Sequence, residues 1–274
     1  MSVIITADQR LANTGIKGQI WGRAGIGKTS LLRTLPAEST LVLDFEAGLL
    51  AVQDHPVHSI PVQSWDQARD LACWIGGPNR AMRPDQPYSE AHYRHVCETC
   101  GDPETLRRYQ TIFVDSTTIA AQKCLHWAQG QPEAISDRTG KPDMRGAYGL
   151  LGREIISWAT HLHHMPGKNL WLVGGLEEKS DDFNRKSWVP MIDGSKGASA
   201  MPYIVDEVIT MAELPTEDGK TFRAFVCQTM NQWGFPAKDR SGRLEMIEEP
   251  HLGKLMAKMS GPRPQNRLSY DTAA

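Results

Sequence analysis

Apolar residues in this chain come in short unbroken runs, and each run leads into acidic, polar or glycine-rich residues. Ile112, Phe113 and Val114 run into Asp115, Leu41 to Leu43 run into Asp44-Phe45-Glu46, and NLWLVGG occupies 169–175. Runs of this kind, bounded by turn residues, mark strands buried on both faces of a parallel sheet. GQIWG at 18–22 and the stretch from Pro56 to Val62 read as two more. Between the runs the period becomes helical. SLLRTL is helical up to Pro36, and Ser64-Trp65-Asp66-Gln67 has the spacing of a capping box before a helix to about Ile75. A third helix is expected over 118–128, and Leu151, Ile155, Trp158 and Leu162 mark one face of a fourth that stops at Pro166-Gly167. Asp206 to Met211 and Thr221 to Thr229 read as two strands around PTEDGK, with a short helix near His251 to Met259. This order predicts an α/β fold: a mostly parallel central sheet flanked by helices, with a C-terminal antiparallel extension.

Three stretches depart from that rhythm. Residues 76–108 read as an insertion or lid within a single domain over 18–260, which follows an N-terminal arm at 1–17 and precedes a disordered tail from Gly261. The insertion holds His92, His95, Cys97 and Cys100, chemically sufficient for zinc, but their spacing fits a solvated helix with ordinary thiols better than a zinc module. Residues 129–149 form a long polar loop with Arg138, Lys141 and Arg145, and 176–199 form a second with Lys179, Arg185, Lys186 and Trp188. His161, His163 and His164 sit where they can complement the negative end of the fourth helix or face solvent.

The chemistry concentrates in GRAGIGKTS, which is Gly22, Arg23, Ala24, Gly25, Ile26, Gly27, Lys28, Thr29 and Ser30. Glycine, four residues, then Gly-Lys-Thr is the phosphate-binding loop pattern. Its small residues let backbone N–H groups curl around phosphate oxygens, Lys28 adds a point charge, and Thr29 offers a hydroxyl to Mg²⁺. Asp115 at the end of an apolar strand is the expected second holder of the ion, acting through water. ATP and Mg²⁺ are therefore the expected cofactors.

Overall charge narrows the partners. A formal net charge of −2 over 274 residues excludes a generally basic protein, so any contact with nucleic acid must come from a local patch. Five cysteines agree with a reducing compartment. With no apolar run of membrane-spanning length and no signal-like start, the expectation is a soluble intracellular protein without a membrane partner.

With loop, acids and strand order placed, the chain resembles the RecA-type branch of phosphate-loop ATPases. LDFEAG is similar to the element that carries the catalytic glutamate there, VDST is similar to its metal strand, and AKDRSGR resembles a Lys-x-Arg turn of hexameric helicases. Within that branch the closest resemblance is to phage-encoded RecA-like ATPases of the Sak single-strand annealing group, over about 15–260. The resemblance implies that Glu46 activates water and that Lys238 and Arg240 reach the nucleotide of a neighbouring subunit. It further implies assembly into a ring or filament, binding of single-stranded DNA through the two polar loops, a possible single-strand binding protein partner, and the cytoplasm of a bacterial host if phage-encoded. Leu176 departs from the pattern, standing where such proteins carry a polar sensor. Two rival functions are an ATP-dependent switch or assembly ATPase acting on protein partners, and a small-molecule kinase, for which no Arg-rich lid is visible.

Overall fold

The computed structural model describes residues 6, 14–136, 138–180, 183–184 and 186–261. Among them lie the strands β1 (Lys17–Gly22), β2 (Thr40–Asp44), β3 (His58–Pro61), β4 (Thr111–Asp115), β5 (Asn169–Ser180), β6 (Lys186–Pro190), β7 (Glu207–Pro215), β8 (Thr221–Val226), β9 (Lys238–Asp239) and β10 (Ile247–Glu248). They form one sheet in the order β10-β8-β7-β1-β5-β4-β2-β3, with β6 paired to β5 and β9 to β7. Strands β7-β1-β5-β4-β2-β3 are parallel, and β8, β9 and β10 extend the sheet in antiparallel fashion. The α/β architecture expected from the apolar runs is the one observed. The first strand begins at Lys17, inside the expected arm; the remainder of that arm apart from Thr6 and 14–16, and the expected tail beyond Gly261, lie outside the described residues.

Alternation along the central strands divides the core in two. Leu41, Leu43, Ile112, Val114, Leu170 and Leu172 face a cluster that also holds Trp65, Trp158 and Leu162. Val42, Phe113, Trp171 and Val173 face the other, with Leu31, Leu32, Phe225 and Leu255. The helices α1 (Trp65–Gly76), α2 (Glu90–Cys100), α3 (Thr117–Gln129), α4 (Met144–His163) and α5 (Ser195–Ile204) supply the first side. The second side carries α6 (Leu252–Ser260) and a 3-10 helix, Thr29–Thr34. No described helix is long and apolar enough to cross a membrane.

Several expectations are corrected. The helical run after the phosphate loop is a six-residue 3-10 helix, because Pro36 ends it and the chain re-enters the sheet at Thr40. The polar loop expected over 129–149 is shorter: Asp143 caps α4 by accepting from Arg145 N–H at 2.9 Å, so Arg145 lies in the first turn of a helix. The second expected loop is largely ordered: β5 runs on to Ser180 and pairs with β6 as a hairpin, and α5 follows from Ser195. His161 is half-buried, stacked on Tyr88, and desolvation pushes its pKa down to about 4, so it is neutral and cannot complement a helix end as a cation.

Candidate nucleotide site

The carboxyl ends of β1, β2, β4 and the middle of β5 converge on a cavity of about 410 Å³, within the size range of ligand pockets. The phosphate loop follows β1, with Gly25 at φ 76° and Gly27 at φ 105°, backbone values that side-chain-bearing residues rarely adopt. Six of its nine residues, Ala24, Gly25, Gly27, Lys28, Thr29 and Ser30, line the cavity. Gly22 is buried at the strand end. Ile26 packs into the core below, and Arg23 turns away to place its guanidinium 4.6 Å from the Trp188 ring centroid. Lys28 donates to the carbonyls of Gly22 and Arg23, both at 2.9 Å. Burial lowers its pKa, against the attraction of Asp115 and Glu46.

Opposite the loop, Thr29 Oγ1 donates to Asp115 Oδ2 at 2.7 Å. Burial pushes Asp115 up to about 6; the Thr29 hydrogen bond opposes this and the Glu46 carboxylate adds to it. A hydroxyl and a carboxylate are hard oxygen donors, and a desolvated acid beside other acids is stabilised by a cation, so this pair fits Mg²⁺. Glu46 is placed from two sides. Asp44 Oδ1 accepts from the Glu46 and Ala47 N–H groups at 3.1 and 2.8 Å, turning the chain after β2, and the Ser116 hydroxyl donates to Glu46 Oε1. Ser116 and Asp44 were not singled out from the sequence as site residues, nor were Thr118 and Gly175, which line the cavity and bond to each other at 2.8 Å. The VDST run carries Ser116, one residue past Asp115. Leu176, 7% exposed, also lines the cavity, so the wall expected to carry a polar sensor is apolar.

The other expected residues fall elsewhere. Strand β9 joins β7 at Glu207 and Val208, at the amino end of the sheet, whereas Gly22 pairs with Met211 near the carboxyl end. Lys238 Nζ donates to the carbonyls of Pro202, at 2.9 Å, and Val205, and Arg240 pairs with Asp206 at 2.9 Å. Neither cation can serve the phosphate loop of its own chain. In the hairpin, Lys179 pairs with Glu177 at 2.8 Å and Lys186 with Glu178 at 3.2 Å, so these lysines carry less of a basic surface than the sequence suggests. Trp188 is half-buried against Phe235, ring centroids 5.3 Å apart. Arg138, Lys141 and Arg145 are exposed, and Arg185 lies outside the described residues. His92 accepts from Tyr88 N–H at Nδ1 and meets Asp70 at Nε2, which leaves no ring nitrogen for a metal. Cys97 and Cys100 pack against the core, His95 is exposed, and among the described residues no cluster of three or more metal-ligating side chains occurs.

No curated protein matches the chain. Residues 14–241 match the family model described as AAA domain, a stretch that contains the phosphate loop, Glu46 and Asp115, so the chain belongs to that family of P-loop ATPase domains.

Proposed function

We propose that the protein binds Mg·ATP in the cavity between the phosphate loop and Asp115, hydrolyses it slowly as a single subunit, and couples it to single-stranded DNA. The observation that carries the nucleotide part is the convergence of Lys28, the Thr29–Asp115 pair and the Ser116-held Glu46 on one cavity. Lys28 holds phosphate charge, Glu46 accepts a hydrogen bond from the attacking water and aligns it, and the apolar wall at Leu176 limits bulk water. Bound Mg²⁺ supplies neutralisation of the phosphoryl oxygens. Phosphoryl transfer rests mainly on such positioning and charge.

For DNA, the support is placement. Trp65 and Ala68, at the start of α1, bond to Glu154 and Trp158, so the amino-terminal half of α4 lies toward the carboxyl end of the sheet. Arg138 and Lys141 lie exposed just before α4 and Arg145 in its first turn, and annealing of strands is the activity we assign to these cations. In an assembly Arg240, with 56% of its side chain exposed, is the cation a neighbouring nucleotide can draw out, whereas Lys238 is engaged within its own chain. The neutralised lysines of the hairpin favour a second reading, a switch that acts on protein partners.

The test is ATPase rate per subunit against protein concentration, with and without single-stranded DNA, beside Lys28→Ala. A rate that rises with concentration and with DNA, and vanishes in the variant, is expected. A rate indifferent to DNA, with no salt-dependent oligonucleotide binding, replaces the DNA reading with the protein switch.

A further inference from the structure

Asp44, Glu46 and Asp115 crowd the carboxyl end of the sheet, and Lys28 is the one cation among the described residues that line the cavity. Its ammonium is engaged by loop carbonyls, and Arg23 is turned out over Trp188. The helix behind the loop is a single six-residue 3-10 segment, so its dipole adds little. A polyphosphate brings several more negative charges to this place, which calls for a further cation from the chain.

Arg223 stands beside the loop, at Gly27. On β8 alternate residues share a face, so Arg223 follows Phe225, which is buried with Ile26 and Met211 beneath the loop. A Cβ built on Gly27 would lie 3.2 Å from an Arg223 guanidinium nitrogen, and only a glycine at φ 105° admits that approach. Among the described residues the ion partner of Arg223 is Glu213, its register partner on β7, at 3.7 Å with both side chains 53% exposed. That distance is beyond hydrogen-bond range, and an exposed pair of this kind contributes little to stability. The guanidinium is thus held at the loop with its N–H donors available for an oxyanion.

We propose that Arg223 is a phosphate ligand of the nucleotide, acting in its own chain from the Gly27 side of the loop. This assignment rests on the cavity being a nucleotide site. The Lys28 ammonium is held at Gly22 and Arg23 while Arg223 reaches the loop at Gly27, so the two cations act at different points of the loop, and Arg223 is assigned to the phosphates common to di- and triphosphates.

The experiment is calorimetric titration of the full chain, wild type, Arg223→Ala and Arg223→Lys, with Mg·ADP and with Mg·ATP, together with thermal melts without nucleotide. A lost charge-assisted contact weakens both nucleotides by about tenfold in Arg223→Ala, with partial recovery in Arg223→Lys and an unchanged melt. Wild-type affinity in Arg223→Ala overturns the assignment while leaving the nucleotide site intact. A lowered melt in the alanine variant also overturns it, by making the role structural. Absence of saturable nucleotide binding in the wild type overturns the nucleotide reading and this assignment together.

Discussion

Both ends of the parallel sheet bury charge, and they do so differently. At the amino end the chain answers most of its own charges, with buried Glu207 the exception. Lys17, fully buried, donates to the carbonyls of Met165 and Lys168; Lys238 caps the end of α5 through Pro202 and Val205; Arg240 and His163 flank Asp206. Asp239 accepts from Ser241 Oγ, Gly242 N–H and Leu244 N–H at 2.6, 2.8 and 2.9 Å. At the carboxyl end Glu46 and Asp115 line a cavity, with Lys28 as the lining cation among the described residues and Asp44 turning the chain beside them, an arrangement we assign to a ligand. Buried charge alone therefore does not mark a site. What sets the carboxyl end apart is that its acids open onto a cavity behind a phosphate loop.

The largest effect that would sharpen this contrast is expected from Asp115→Asn. The amide keeps the shape and can still accept from Thr29, and it removes a carboxylate whose charged form burial disfavours. ATP hydrolysis should fall about 10²- to 10³-fold, the scale of losing one preorganised electrostatic group. The melting temperature should stay level or rise. Steady-state assays beside calorimetry decide it, and a variant that melts early with its rate intact would place Asp115 among the structural charges.

The two ends also differ in how much of them the sequence discloses. Strands β1, β2 and β4 and the loop were legible because an apolar run and a fixed spacing are local signals, and Asp115 and Glu46 follow as the residues where those runs stop. The β5–β6 hairpin was not, since half-buried Glu177 and exposed Glu178 and Lys179 are polar in a two-stranded segment, where no fully buried face imposes alternation. Helix α4 began unseen because Gly146 reads as loop; its reason is packing, since a Cβ there would meet the Glu133 carbonyl oxygen at 1.9 Å. Lys238 reads from the sequence as a cation on a basic turn, and its in-chain partners Pro202 and Val205, at the end of a helix that Pro202 itself disguises, lie about thirty residues earlier.

A second prediction turns on pH. Glu207 is 3% exposed and pushed up to about 8, first by burial and then by the neighbouring Asp239. Its folded pKa is above its unfolded one, so the stability it contributes is full below the ordinary glutamate range and is lost as pH rises through about 8. Glu207→Gln imitates the neutral form. The advantage of the variant over wild type should grow from about pH 5 to about pH 8, by at most about 1.4 kcal/mol per unit. Denaturant titrations across that range measure it, and a difference independent of pH would show that Glu207 is ionised in the folded chain.

The smallest effect bears most directly on whether the amino end is structural alone. Lys238→Ala strands the Pro202 and Val205 carbonyls at the end of α5, at a cost of about 1–3 kcal/mol for groups left without partners. The Lys238 ammonium is engaged by these two carbonyls; burial and nearby Arg240 lower its pKa, against the attraction of Asp206 and Glu207. Arg240→Ala removes a half-exposed pair with Asp206 and should move stability by less than about 1 kcal/mol. Measured together, the two variants separate the roles that one basic turn combines: Lys238→Ala should melt earlier while its ATPase rate per folded subunit remains within about twofold. A Lys238→Ala protein that melts like wild type but loses the concentration-dependent part of its rate would move Lys238 from the closed end of the sheet to the active site of a neighbour.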